Sequence, residues 1–350
     1  MRRLSGHAFM TTLLALVIAA CTNAAPTPTV GPTASPAPTQ ASGAPSPTAS
    51  GGAASATPST GAASATPSTG ASATPAVVAS VPPDQLLFAD KLVICSDLPY
   101  PPQEYFDDSG NPIGSDIELG EGIAARLGLT TKIENSVFSS IILAVTGGKC
   151  DIIISAQNIT PERLGQVDMI PYFQAGQAFM VQAGNPSNIQ TAEDLCGKKI
   201  AVQTGTTMLD YVSGSGGFTE GGLPDVCSAA AKPDAEALTF EKDPDAVAAL
   251  QAGTADAYMA DLPVVIGYAD ASPDQFMLAP VPQIAPALEG ISVAKTNTAL
   301  RDAVKKALEA MIADGSYLQI LTKYQVEGGA LTVEEVNQPL PSPAPSPSST

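Results

Sequence analysis

Ile153-Ile154-Ser155-Ala156-Gln157-Asn158-Ile159-Thr160-Pro161-Glu162-Arg163 (IISAQNITPER) runs from an apolar strand end through a polar turn into a helix start. Thr160 offers the side-chain oxygen of an N-cap, and Pro161 the fixed φ of the first helical position. Arg163 therefore falls in the first turn, where a cation opposes the helix dipole. Two explanations are open. Arg163 pairs with Glu162 or another surface carboxylate, or it awaits an anion from outside the chain.

Working back from that strand, residues 92–95 (LVIC) read as a buried strand, stopped by Asp97-Leu98-Pro99-Tyr100-Pro101-Pro102. Residues 107–112 (DDSGNP) are a turn within a hairpin-like excursion. A helix pattern begins at Asp116, carries Leu119, Ile123 and Leu127 at i, i+4 and i+8, and ends at Gly128. Residues 131–137 form a strand, 139–146 a helix stopped by Gly147-Gly148, and 151–155 the strand that opens the quoted stretch. This β-α-β-α-β alternation predicts a parallel sheet flanked by helices. Ligands bind such sheets at the carboxyl ends of strands, where Asp97, Tyr100, Ser155 and Asn158 stand.

Working forward, 175–183 is extended and 199–203 is a strand. Gly205-Thr206-Thr207 then leads into a helix over 208–212, and free backbone N–H groups at such a start favour an anion. Residues 247–250 are helical and 257–260 a strand, with Asp261 just past its end. The chain re-extends over 276–281. It finishes with an amphipathic pattern through Leu300, Val304, Leu308, Met311 and Ile312, then Leu318, Leu321 and Tyr324.

Residues 1–20 read as a signal peptide, with Arg2 and Arg3 before a short apolar run that ends in Ile18-Ala19-Ala20-Cys21. Small residues before a cysteine resemble the bacterial lipobox, which implies lipidation of Cys21 and an anchor on the outer face of the cell membrane. Residues 21–83 are almost wholly Ala, Ser, Thr, Pro and Gly. They cannot bury enough apolar surface to fold and are expected to be a disordered tether, spanning roughly 45 Å as a coil. Residues 338–350 read as a disordered Pro/Ser tail.

Without Arg2 and Arg3, 14 Lys and Arg face 34 Asp and Glu, a net charge of −20. Nucleic acid and anionic membrane surfaces are poor partners for such a chain. The only histidine, His7, lies in the signal segment. The remainder therefore holds no Ser-His-Asp triad, Cys-His pair or histidine metal site, and neither metal nor cofactor is expected. Cys95, Cys150, Cys196 and Cys227 lack the spacing of a zinc site and read as disulfides outside the membrane, with three connectivities open. The preferred pairing is Cys196–Cys227, leaving Cys95–Cys150.

From about 90 to 325 the sequence resembles the extracytoplasmic solute-binding proteins of ABC importers, in the group that binds polar amino acids. The matching pieces run in order: Asp97-x-x-Tyr100-Pro101-Pro102-x-Glu104-Tyr105, then 110–119 (GNPIGSDIEL), 124–128 (AARLG), Phe138, and SAQNITPER. Val167-Asp168-x-x-Pro171-Tyr172, VQTGTT and 253–257 (GTADA) before Asp261 follow. The resemblance implies an α/β, two-lobe, type 2 periplasmic-binding-protein fold with two extended crossovers, near residues 175–177 and 279–285. Lobe 1 would be 84–176 plus 283–337, and lobe 2 would be 177–282. It implies that Arg163 clamps a ligand α-carboxylate, with Thr207 giving a backbone N–H and Asn158 standing where Ser or Thr is usual. Asp261 would accept the α-ammonium and Ala156 would offer its carbonyl. Tyr100 and Phe138 would pack on the ligand side chain, and Asp97 would contact its polar or cationic end.

Gln103 stands where an aromatic or Met is usual, and Ser115 replaces a Phe. Asp97, Glu104 and Gln157 lean the ligand towards a polar or cationic side chain. The expected function is capture of an amino acid by a monomer and delivery to ABC permease subunits, without catalysis. Two alternatives are a solute-sensing lipoprotein with a membrane partner and an enzyme like cyclohexadienyl dehydratase. Prephenate-like acids have no ammonium for Asp261 to bind, which disfavours the enzyme.

Overall fold

The computed structural model describes residues 75–215 and 221–344. The signal segment, Cys21 and the tether as far as residue 74 lie outside the described residues. In the first half, β1 (Lys91–Ser96), β4 (Thr130–Asn135) and β5 (Ile152–Ile153) are parallel, with β1 between the other two. The short β2 (Tyr105–Phe106) and β3 (Pro112–Ile113) form the hairpin expected around 107–112. The helices α1 (Ser115–Arg126) and α2 (Ile141–Thr146) separate these strands, and α3 (Pro161–Gln166) follows the quoted turn.

In the second half, β7 (Lys199–Gln203) runs parallel to both β8 (Glu236–Phe240) and β9 (Ala257–Asp261). The helices α4 (Thr207–Ser213), α5 (Leu223–Ala229), α6 (Asp243–Gln251) and α7 (Leu262–Ala271) flank them. Two long strands, β6 (Val167–Gln182) and β11 (Ile284–Ala294), join the halves. The first part of β6 pairs with β11, and residues 177–180 pair with β9; both pairings are antiparallel. The short β10 (Phe276–Leu278) also pairs with β6. A nine-stranded sheet results, in the order β4-β1-β5-β11-β6-β9-β7-β8. The parallel pairing expected from the alternation over 92–155 is present, and the two joining strands make the middle of the sheet antiparallel. The expected strand over 151–155 shrinks to Ile152–Ile153. Asp151 turns its carboxylate to the backbone N–H groups of Leu87 and Val93, and Ala156 takes a left-handed φ of 44°.

The apolar run in β1 is continuous because both of its faces are covered. Leu92 and Ile94 pack with α1 and the terminal helices α8 (Thr298–Asp314) and α9 (Ser316–Lys323), while Val93 and Cys95 pack with Ile141, Val145 and Ile153. Both expected disulfides form: Cys95–Cys150 and Cys196–Cys227, with Cα atoms 5.7 and 5.5 Å apart. In the chain-entropy account each stabilises the fold by about 3–4 kcal/mol. Contacts extend past both expected boundaries of the folded region. Val78 donates to Arg126 O at 2.8 Å, and Val78 and Val81 pack on the first core. At the other end Leu340 packs beside Val93 and Cys95, and the Ala344 N–H donates to Pro161 O at 2.7 Å. Apolar residues interrupt the low-complexity composition at both places.

Gly114 ties the hairpin to α1. Its φ is 130°, and a Cβ there would lie 2.1 Å from the Gln103 carbonyl oxygen and 2.9 Å from the Glu104 nitrogen. These backbone atoms cannot yield as a flexible side chain would. Gly114→Ala is expected to destabilise the protein by at least ~3 kcal/mol, lowering the melting temperature by roughly 10 °C. Thermal denaturation checks it, and a change under 2 °C would mean the hairpin moves freely.

Candidate functional site

A cavity opens where the carboxyl ends of the strands in the two halves face each other. Six of the eight expected ligand residues line it: Asp97, Tyr100, Phe138, Ala156, Asn158 and Asp261. The other two stand at its edge and bond to its lining. Arg163 stacks 5.4 Å from the Phe138 ring centroid and donates to Asn158 O at 2.7 Å; Thr207 Oγ1 donates to Asn158 Oδ1 at 2.6 Å. Glu104, Ser155, Gln203, Thr206 and Met208 complete the lining. Side chains from both halves leave about 10 Å³, close to the room of one water molecule. The arrangement is closed.

Arg163 is where Thr160 and Pro161 put it. Thr160 Oγ1 caps α3 by accepting from the Arg163 N–H at 3.2 Å, with Pro161 first in the helix. Arg163 is 8% exposed. Its donors meet two backbone carbonyls, Asn158 O and, across the cavity, Gly205 O at 3.0 Å. Among the described residues no carboxylate lies within ion-pair distance of it, so pairing with Glu162 is not what holds it. Burial brings its pKa down to about 10, the sign of a desolvated charge.

Asp261 lies opposite and is 1% exposed. The Tyr100 hydroxyl donates to its Oδ2 at 2.9 Å, while Oδ1 has no partner among the described residues. Burial pushes its pKa up to about 7, against the lowering effects of the Tyr100 hydrogen bond and the Arg163 charge. Asn158 Nδ2 and Gln177 Oε1 are also buried without partners. A cation without an anion and a carboxylate oxygen without a cation, in one desolvated cavity, complement a zwitterion. The Thr207 N–H is in the first turn of α4, capped by Thr206, where backbone donors are free. Ala156 sends its N–H inward to Asp116 Oδ2 at 2.9 Å.

The distal side is already paired. The Asp97 carboxylate receives Gln203 Nε2 at 2.5 Å on Oδ2 and the Lys242 ammonium on Oδ1. Lys242 also reaches Leu98 O and Asn135 Oδ1, each at 3.3 Å. Burial raises the Asp97 pKa, and Lys242 and Gln203 oppose that rise. Gln157 points elsewhere: its Oε1 accepts from Ser292 Oγ at 2.6 Å. Gln103 is fully buried and donates to Glu289 Oε2 at 2.8 Å, so its departure from the usual apolar residue serves a buried acid.

Beneath the cavity Glu104, Asp116 and Glu289 gather. Tyr172 donates to Asp116 at 2.6 Å and to Glu289 at 3.3 Å, and Ser155 Oγ donates to Glu104 at 2.6 Å. Burial, then neighbouring carboxylates, push Glu104 and Glu289 well above the usual carboxylate range; burial lifts Asp116 to about 6. No group of His, Cys, Asp and Glu among the described residues could hold a metal ion. No helix among them is long and apolar enough to cross a membrane.

Lys242 and Gln203 were missed as site residues. Gln203 ends a strand, as Asp97 does, so the strand-end rule marks it. Lys242 precedes α6 in a polar turn, and no local signal marks it.

Comparison with known proteins gives the same fold and the same class of binder. The arginine-binding protein ArgT of Corynebacterium glutamicum is 29% identical over 276 residues, 76% of this chain and 84% of the relative. The solved structure of an ancestral arginine-binding protein bound to arginine is 33% identical, with a TM-score of 0.59 over 67% of this chain and 97% of that one. An ancestral amino acid-binding protein that is a precursor of cyclohexadienyl dehydratase is 30% identical, with a TM-score of 0.57 over 67% and 95%. The family model described as bacterial extracellular solute-binding proteins, family 3, matches residues 92–327. With a two-half α/β sheet closed on a zwitterion-complementary cavity, and that match over most of its length, the chain belongs to the family 3 bacterial extracellular solute-binding proteins.

Proposed function

We propose that the protein captures one free amino acid with a polar side chain between two lobes and delivers it to the permease of an ABC importer. The observation that carries this reading is the pair formed by Arg163, buried without a carboxylate, and Asp261, whose Oδ1 is buried without a partner. The ligand carboxylate takes the guanidinium in a bidentate contact, helped by the Asn158 amide and the Thr207 N–H. The ligand ammonium takes Asp261, and Tyr100 and Phe138 flank the side chain. The lobes, 84–176 with 283–337 and 177–282, swing about 175–177 and 279–285. Contacts between the halves, such as Arg163 to Gly205 O, form as they close.

A monomer held at the membrane by lipidated Cys21 would do this without cofactor or covalent chemistry. The tether would keep the lobes concentrated near the permease. A dehydratase is less well supported, because a prephenate-like acid leaves Asp261 without a cation.

A thermal-shift screen of ligand-free protein against the twenty amino acids, ornithine, citrulline and cystine tests the reading. An amino acid at 100 times its Kd stabilises the folded state by about 2.7 kcal/mol, a rise of roughly 5–10 °C. A shift with a few polar amino acids is expected. No shift with any of them would remove the carboxylate–ammonium clamp.

A further inference from the structure

The distal end of the cavity holds an ion pair supplied by the protein itself. Asp97 follows β1 in the first half; Lys242 precedes α6 and Gln203 ends β7 in the second. The two halves thus deliver the acid and its partners from opposite sides. Both Asp97 oxygens are taken, Oδ1 by Lys242 and Oδ2 by Gln203. The Lys242 ammonium is held in turn by Leu98 O, Asn135 Oδ1 and Ser136 O, at 3.3, 3.3 and 3.4 Å. The Asp97 side chain, which lines the cavity, is 4% exposed and the Lys242 side chain 30% exposed, so Lys242 reaches a buried acid from a more solvated position.

We infer that Lys242 is a specificity residue: by occupying Asp97 on closure it excludes amino acids with a cationic side chain and restricts the site to those with a neutral one. This rests on the amino-acid reading above. A ligand ammonium or guanidinium at Asp97 has to displace Lys242 or share one carboxylate with it. Two like charges within a few ångströms in a half-buried site oppose each other strongly. Among the described residues that line the cavity, the other acids are Asp261, which takes the ligand α-ammonium, and Glu104. Glu104 is fully buried, and its burial first, then Asp116, Asp97 and Glu289 beside it, oppose its ionisation. A neutral amide or ureido group needs no counter-charge and leaves the pair intact. Asp97 and Glu104, which with Gln157 lean the sequence reading towards a polar or cationic side chain, are therefore spoken for.

The test uses L-arginine and its neutral counterpart L-citrulline, with L-lysine and L-glutamine as a second pair, titrated calorimetrically into ligand-free wild type and Lys242→Met. The wild type is expected to favour the neutral member of a pair at least tenfold. Lys242→Met is expected to gain at least tenfold for the cationic member, with the neutral one nearly unchanged. That gain should vanish in Asp97→Asn/Lys242→Met, since it depends on the freed carboxylate. Circular dichroism checks the fold of each variant. A wild type that binds arginine or lysine as tightly as its neutral partner overturns the inference, as does a Lys242→Met protein with no gain for either cation. Both results leave the amino-acid reading standing. Absence of binding by any amino acid, in folded wild type and variant alike, overturns that reading and the inference with it.

Discussion

Arg163→Ala abolishes amino-acid binding at millimolar ligand while the chain stays folded. Truncating one partner of a buried, hydrogen-bonded charge pair costs about 2–5 kcal/mol of binding, a thirty- to several-thousand-fold loss. The upper part of that range is expected, because Arg163 is 8% exposed and its partner would be a fully desolvated carboxylate. The folded state loses less. The Arg163 guanidinium bonds to two backbone carbonyls, Asn158 O and Gly205 O, and to no carboxylate among the described residues. Arg163→Met, which keeps bulk against Phe138, separates lost charge from lost packing. Arg163→Lys keeps the charge without the planar fork and should recover only part of the affinity. Isothermal titration with the amino acid found by screening measures all three, with melting temperatures as the folding control. Unchanged affinity in Arg163→Ala would remove the site.

Local patterns in the chain reach far into this structure, and they stop at identifiable places. The N-cap Thr160 and first-turn Pro161 put Arg163 at one address, and the structure puts it there. Strand-end logic placed Asp97 and Asn158 on the cavity, and with Tyr100 and Asp261 it located the face on which the halves meet. The α/β class follows from the alternation between residues 92 and 155. The antiparallel middle of the sheet does not. It depends on β11 returning over a hundred residues after β6 begins, and no local period records which neighbour a distant strand will choose.

Charge partners were the least legible feature. Asp97 meets Lys242 and Gln203 across 145 and 106 residues, so its availability to a ligand is decided by how the two halves close. Gln103 reads as a misfit in sequence; packing shows it serving Glu289, itself indistinguishable in sequence from an exposed acid. Gln157, polar and next to a candidate ligand residue, follows the left-handed Ala156 and accepts from Ser292. In each case residue type was visible and its partner was not.

Affinity should rise about tenfold per pH unit from pH 5 and level off above pH 7. The cause is Asp261, whose pKa burial lifts to about 7 in the closed arrangement without ligand. Charged and titratable groups around it come from several elements: Tyr100 after β1, Asp116 on α1, Arg163 on α3, Asp243 on α6 and Glu289 on β11. A ligand ammonium needs the ionised carboxylate, so below pH 7 binding must expel a proton, and affinity falls as the medium becomes more acidic. The closed arrangement without ligand shows the opposite trend in stability. Asp261 and Asp243, both raised to about 7, and Asp116, raised to about 6, hold protons that the unfolded chain has released above about pH 4. Their stabilising contribution is complete below the unfolded pKa and is lost as pH rises through the folded values. The melting temperature of the ligand-free protein should therefore fall between pH 5 and pH 8, while the rise produced by ligand grows. Titrations in two buffers of different ionisation enthalpy read the released proton directly: close to one per ligand at pH 5.5, close to none at pH 8. Asp261→Asn removes the titrating group while keeping its shape, so it should bind at least a hundredfold more weakly at pH 8 and lose the slope below pH 7. A wild type whose affinity is flat from pH 5 to 8, or an Asp261→Asn protein that keeps the slope, would place the ammonium on another group.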